Sequence, residues 1–428
     1  MWNLLRSQEN MMLLHNTQIV SPHRKSISTL NMDRTEGRFL LAGSSDATLS
    51  IYDLSPWGRE PSHGAYQVGD YGHNVQNQGG PPTAMSVHKP VAQSSRGTSN
   101  EPGHSASIIR AEWYAFDTGA FVSASSDGAL VVWDTEAMQP VAQWQPFPSS
   151  ISSFHLSQSI GPSESLLVVA SKDDAAIKLV DIRTGSASHT LTGHVRGVTA
   201  VQWCPAATRG DDTIHKTYTN IGDVVLASGS LDGTVRLWDI RKAGSRATIC
   251  ILDQEEASPF PLRAFQSDYR HLKKKKQGMK GPNSYQHVSA GGVSSHSGPV
   301  TGISFTSDGQ SLVSCGSKRL QLWDLRSRGH LVTRHFAGSV QPPLLVVDHH
   351  AWMACGNMTI GAFSLEQGGP PYQILEGHLG KVTALESSFD SQQLMSGGAD
   401  GMILMWGSQR RRKGSIVQTS PQRSQLHR

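Results

Sequence analysis

One unit of sequence recurs along this chain, and a recurring unit of a few dozen residues dictates a stacked or ring-like architecture before any other consideration enters. Its clearest copy begins at Gly193-His194, continues VTAVQW, and after an insertion reads LASGSLDGTVRLWDIR as far as Arg241. The same grammar returns at Gly103-His104 with FVSASSDGALVVWD and at Gly377-His378 with LMSGGADGMILMW, and a fourth copy opens at His296 and closes QLWDLR. Weaker copies stand between these. His23 followed by LLAGSSDATLSIYD keeps the pattern with Tyr52 for Trp, LLVVASKDDAAIKLVDIR keeps the Asp with Val180 for Trp, and a degenerate copy, WMACGNMTIGAF, occupies about 340–366, giving seven units.

Alternating apolar residues such as Val235 and Leu237, bounded by Asp-Gly turns such as Asp232-Gly233, read as tight hairpins. Setting aside the irregular stretches 55–103, 205–223, 253–295 and 408–428 leaves about 42 residues per unit, within the ~40–45 of a WD-repeat propeller blade. Over about residues 15–407 the sequence therefore resembles the WD-repeat β-propellers, which implies an all-β fold of seven blades. The 42 Gly, 21 Pro and 37% hydrophobic residues agree: the chain is too Gly-rich for a helical bundle and too apolar for disorder. No run of about 18 apolar residues occurs, and the start, MWNLLRSQENMMLL, lacks the apolar core of a signal peptide, so a soluble, non-secreted protein without a membrane partner is expected. Cys204, Cys250, Cys315 and Cys355 have no paired spacing, which argues against a disulfide framework or zinc site. Of the formal charge of +4, the tail 408–428 supplies five Arg and one Lys with no acid, which leaves the body near −2 and gives no basic face for nucleic acid.

The recurrent His, Ser, Asp and Trp have a structural task. In the fourth unit Asp232 accepts from His194, whose other nitrogen meets Ser228, and Ser228 accepts from the Trp238 indole, so every member of a buried chain is satisfied. His104, Ser123, Asp127 and Trp133 form a matching set, as do His378, Ser396, Asp400 and Trp406. These are not Ser-His-Asp triads, because one chain does not carry three equivalent catalytic sites at repeat spacing. No catalytic, metal or cofactor site is expected, and with it no enzyme. Closure of the ring needs a shared strand, for which Thr17–Val20 is the candidate partner of the 378–406 unit.

Three units end in Asp-x-Arg: Asp181 to Arg183, Trp238-Asp239 to Arg241, and Trp323-Asp324 to Arg326. An Arg beyond the third strand lies at the rim, where its planar fork can bridge to a partner's carboxylate or carbonyl groups; it also reads as an ordinary rim arginine. Trp-Asp-x-Arg resembles the box by which substrate receptors dock on the large DNA-damage-binding adaptor of cullin–RING ubiquitin ligases. The wording around it, TEGRFLLAGSSDATLSIYDL, AEWYAFDTGAFVSASSDGALVVWDT, GSASHTLTGHVRGVTAVQW, SLDGTVRLWDIRKAG and GHLGKVTALESSFDSQQLMSGGADGMILMW, resembles the Cockayne syndrome A protein family. That resemblance implies a non-catalytic substrate receptor in transcription-coupled nucleotide excision repair. Implied partners are the adaptor, the cullin and RING subunits through it, and a Cockayne syndrome B-type remodeller with stalled RNA polymerase II as client; Trp238, Asp239, Arg241, Trp323, Asp324, Arg326 and Arg183 become the adaptor contacts. The runner-up is a WD-repeat scaffold of another nuclear complex, in chromatin or RNA processing.

The chain departs from that family in several places. Only 22 residues precede His23, so Trp2, Leu4, Leu5 and Met11–Leu14 are expected as one short amphipathic helix within 1–14 rather than a helix pair. The fifth unit lacks its turn Asp, and the family's acidic tail is replaced by a basic one, 408–428. Residues 55–103, rich in Gly, Pro, Ser, Gln and His, read as a loop whose His63, His73 and His88 are too irregularly spaced for a metal. Lys273, Lys274, Lys275 and Lys276 in the 253–295 insertion, and Arg410, Arg411, Arg412 and Lys413 in the tail, suit an import receptor or phosphates, or a solvated loop. Two such clusters favour a nuclear protein, without sequence-specific nucleic-acid recognition.

Overall fold

Six of the seven units fold as four-stranded antiparallel sheets, and the last contributes three antiparallel strands to a larger sheet, because their apolar residues alternate between turns that force the chain back. At the second turn of the fourth unit, Asp232 Oδ1 accepts the Thr234 backbone N–H at 2.9 Å across Gly233, whose φ of 81° is left-handed backbone that glycine adopts without strain. Asp46, Asp127, Asp174 and Asp400 take the same backbone donor in their own turns. The computed structural model describes residues 11–14, 17–54, 86–97, 103–157, 166–205, 225–252, 294–316, 319–325, 330–336, 340–356, 358–366, 369–388 and 392–408.

The sheets form seven blades, numbered here in chain order. Blade one is Ile27–Met32, Phe39–Ser44, Leu49–Asp53 and Pro90–Gln93; blade two is Ile108–Trp113, Ala120–Ser125, Leu130–Asp134 and Gln139–Trp144. Blade three is Ile151–Leu156, Leu166–Ser171, Ile177–Asp181 and Ala187–Leu191; blade four is Val198–Trp203, Val225–Ser230, Val235–Asp239 and Thr248–Ile251. Blade five runs Val300–Phe305, Ser311–Gly316, Arg319–Asp324 and His330–Phe336, and blade six Val340–Val347, His350–Cys355, Thr359–Ser364 and Gln373–Glu376. Blade seven holds Val382–Ser387, Gln393–Gly398 and Ile403–Ser408 and is completed from the N-terminal segment. No α-helix occurs among the described residues.

The core is divided among the contacts between blades. Among the described residues there are seven buried apolar clusters, and each mixes residues of two successive blades, including one that joins Ile27 and Leu40 of blade one to Met395 and Ile403 of blade seven. Seven interfaces among seven blades make a closed ring, the arrangement that protects sheet edges in propellers. Backbone direction then orients it: the His loops and Asp turns sit at one end, called upper here, and the connections that follow the first and third strands sit at the lower end.

Closure differs from expectation. Met11–Leu13 is a strand, not part of a helix, and pairs antiparallel with Ser408, Gly407 and Trp406, while of Thr17–Ile19 only Ile19 pairs with that strand, at Ile403. The physical reason is the open edge: the strand Ile403–Ser408 offers unpaired amides and carbonyls that outweigh the weak local preference of MMLL for a helix. Gln373 of blade six holds the new strand from the side, its Nε2 donating to Met11 O at 2.6 Å. Residues 1–10 lie outside the described residues.

The stretch 55–103 is likewise not one loop. Ser86–His88 pairs in parallel with Thr17–Ile19, and Pro90–Gln93 is the outer strand of blade one. His88 Nδ1 donates to Asp53 O at 2.8 Å, so this histidine ties the two ends of the insertion together. His63, His73 and both basic clusters, Lys273–Lys276 and Arg410–Lys413, lie outside the described residues.

Candidate functional site

Each buried polar chain crosses a blade from its upper loop to its third strand. In blade four His194 Nδ1 stands 3.1 Å from Asp232 Oδ2, His194 Nε2 is 2.7 Å from Ser228 Oγ, and the Trp238 indole donates to Ser228 Oγ at 2.7 Å. Blade seven repeats it, with His378 to Asp400 at 3.1 Å, His378 to Ser396 at 2.7 Å and Trp406 to Ser396 at 2.8 Å. In blade two the Ser123 contacts are as short, but His104 Nδ1 lies 3.5 Å from Asp127 and makes no hydrogen bond. Blade five keeps His296, Ser314 and Trp323 in the same relation. Burial pushes His194 below its usual range against the pull of Asp232; for Asp127 burial acts upward, yet His104 and the Ala129 and Ser105 amides hold it at about 2. A buried imidazole that links a turn carboxylate to a strand hydroxyl, as in blade four, is a brace.

At the lower rim the Trp-Asp-x-Arg residues separate into inner and outer members. Trp238 and Trp323 are 0% exposed; the expectation that they are docking residues is corrected, because both faces of a blade's third strand are packed against neighbouring blades. Asp239 is 2% exposed and is occupied by Arg241, whose Nε and Nη2 reach its two oxygens at 2.9 and 2.8 Å. Burial would raise the Asp239 carboxyl, but the Arg241 hydrogen bonds bring it below its usual range. The Arg241 side chain remains 36% exposed, and Arg183 is 75% exposed with its Nε 3.7 Å from Asp181. Asp324 closes its strand at the same level, and Arg326 lies outside the described residues.

The axis of the ring is a cavity of about 620 Å³, and sequence reasoning missed what lines it. Aligned by their pairing to the second strands, the fifth positions of the innermost strands are Asn31, Glu112, His155, Gln202, Ser304, Leu345 and Glu386. Three of them stitch blade to blade: Asn31 Oδ1, Glu112 Oε2 and Gln202 Oε1 accept the Trp113, Leu156 and Phe305 amides at 2.9, 2.8 and 3.0 Å. Arg110 joins them two residues before Glu112, its Nε donating to Glu112 Oε1 at 2.5 Å. The available signal was a polar residue at alternate positions of strands that otherwise read as core, as in IRAEW and SFHL.

Among the described residues no group of three or more His, Cys, Asp or Glu is gathered to hold a metal, and no helix is long and apolar enough to cross a membrane. Burial pushes the free thiols of Cys204 and Cys250 up to about 12 and that of Cys315 up to about 11, the state of unreactive sulfur.

Fold and braces together define a seven-bladed WD40-repeat propeller. The family model of the WD domain, G-beta repeat matches residues 185–239, 288–324 and 369–407. Among known proteins, the WD repeat-containing protein ATCSA-1 of Arabidopsis thaliana is 29% identical over 441 residues, covering 93% of this chain and 88% of that protein. Radiation-sensitive protein 28 of Saccharomyces cerevisiae is 28% identical over 138 residues, 32% of this chain and 25% of that protein. Histone acetyltransferase type B subunit 2 of Debaryomyces hansenii is 29% identical over 151 residues, 33% of this chain and 32% of that protein.

Proposed function

We propose that this chain is a divergent member of the Cockayne syndrome A family: a non-catalytic, nuclear substrate receptor that docks on the DNA-damage-binding adaptor of a cullin–RING ligase and serves transcription-coupled repair. The observation that carries the reading is reach. The alignment to ATCSA-1 covers 93% of this chain and so spans the ring, whereas those to the yeast proteins named above cover about a third of the chain. In this reading Arg241 and Arg183, with Arg326, meet the adaptor at the lower rim, and the upper face selects the client. Arg241 comes to that task already oriented, since its fork is fixed on Asp239 and little rotamer freedom remains to be lost on docking.

A tagged protein expressed in cells should collect in the nucleus and bring the adaptor with it on purification. An Arg241→Ala, Arg326→Ala double variant that melts as wild type should retain less than a tenth of the bound adaptor. Wild type that purifies from nuclei without the adaptor overturns the ligase reading. The scaffold of another nuclear assembly would then be the better account, and the partial similarity to a histone acetyltransferase subunit is the observation favouring it.

A further inference from the structure

We propose that the channel wall between blades two and three binds a carboxylate side chain of an extended peptide, gripped by the Arg110 guanidinium with His155 Nδ1 as the second contact. This site rests on no part of the ligase reading.

The argument starts from an incomplete ion pair. Arg38 and Arg241 each reach both oxygens of their aspartates through Nε and Nη2. Arg110 does not, because Glu112 Oε2 is committed to the Leu156 amide at 2.8 Å and only Oε1 is left, 2.5 Å from Arg110 Nε. Among the described residues neither Nη of Arg110 donates a hydrogen bond. With a side chain 40% exposed on a strand that lines the cavity, its free edge is the two-pronged donor that fits a carboxylate.

His155 supplies a second, independent indication. It is 6% exposed, lines the same cavity, and its Nδ1 has no hydrogen-bond partner. Its ring position is the one from which Asn31, Glu112 and Gln202 accept a neighbouring amide, a contact the His155 ring nitrogen Nδ1 does not make. A buried polar atom without a partner is costly, and a ligand oxygen that receives its N–H removes that cost. Burial, with Arg110 and Arg34, lowers the imidazole to about 4 against the pull of Glu112 and the Leu156 backbone; the neutral ring has one N–H, and its Nδ1–H tautomer is the one that would donate to a ligand oxygen.

The surroundings narrow the ligand further. The wall from blades five and six presents Ser304, Pro342, Pro343 and Leu345 without charge, suited to the aliphatic stem that carries a carboxylate. The charged groups lining the cavity are Arg34, Arg110, Glu112, Lys172 and Glu386. Glu386 is pushed up by burial, with Arg34, Arg110 and Asn31 opposing. An incoming carboxylate raises it again, so binding takes up a proton there and tightens as pH falls.

The test is fluorescence anisotropy with the full chain and a labelled acetyl-Gly-Ser-Glu-Ser-Gly-amide peptide, beside its Gln counterpart. The Glu peptide should bind at least tenfold tighter than the Gln peptide, and tighter at pH 6.0 than at 7.5. Arg110→Gln should remove that preference, and Arg110→Lys, which keeps the charge and loses the fork, should reduce it in a chain that melts as wild type. Glu386→Gln should tighten binding and flatten the pH dependence. Binding only of a Gln peptide with a free C-terminus would support the same site reading a chain end. Equal affinity for the Glu and Gln peptides, equal displacement by inorganic phosphate, or weaker binding in Glu386→Gln each overturns the proposal.

Discussion

Asp232 gathers four hydrogen bonds, from His194, the Val195 amide, and the amide and hydroxyl of Thr234. Removing the carboxylate strands several of these donors at a residue only 3% exposed, and each costs ~1–3 kcal/mol. Asp232→Ala should therefore lower the melting temperature clearly, and by more than Asp127→Ala in blade two, whose His104 contact is already open at 3.5 Å; equal losses would show that the imidazole contact carries no weight. These braces were legible in the sequence because identical residue types recur at fixed offsets in unit after unit. The Trp-Asp-x-Arg string was only half legible: it reads as one motif, yet Trp238 and Trp323 sit in strands packed on both faces while Arg241 lies past the strand end at the surface. The channel group was less legible: Arg110 and Glu112 share one strand, but His155 joins them only when two blades are set side by side.

At the scale of elements, the strand Met11–Leu13 matters out of proportion to its three residues. It covers the edge of Ile403–Ser408 and places Met11 in the apolar cluster between blades six and seven. Deleting residues 1–14 should lower the melting temperature and promote self-association through the bared edge, to be followed by thermal melting and light scattering; unchanged melting with a monodisperse sample would contradict that role. Periodicity alone could not choose this strand, because four consecutive apolar residues suit a helix face and a buried strand equally. The partner across the ring decided, at a sequence distance no local signal spans. The outer strand Pro90–Gln93 was missed for a related reason: it follows an insertion of loop-like composition, and its exposed alternate residues hide it.

For the molecule as a whole, stability is spread over seven similar interfaces and is coupled to acid through buried histidines. His23, His155 and His194 are all lowered, chiefly by burial, His155 to about 4, from an ordinary 6.5. Between those values the unfolded chain binds protons that the folded ring refuses, so stability is full above about pH 6.5 and falls as pH drops toward 4. The melting temperature should decline steadily from pH 7.5 to pH 5; a flat profile would mean that these imidazoles protonate in place.

The ring also imposes an order in time. The strand at Met11–Leu13 is made well before its partner at Ile403–Ser408, which is about 390 residues later. At ~5–20 residues per second of synthesis, the first strand waits roughly 20–80 s on the ribosome with its hydrogen-bonding edge unclaimed. Through that interval the nascent chain is an open fan of blades, and whatever shields that edge, a chaperone or a neighbouring copy, decides whether closure happens within one molecule or between two.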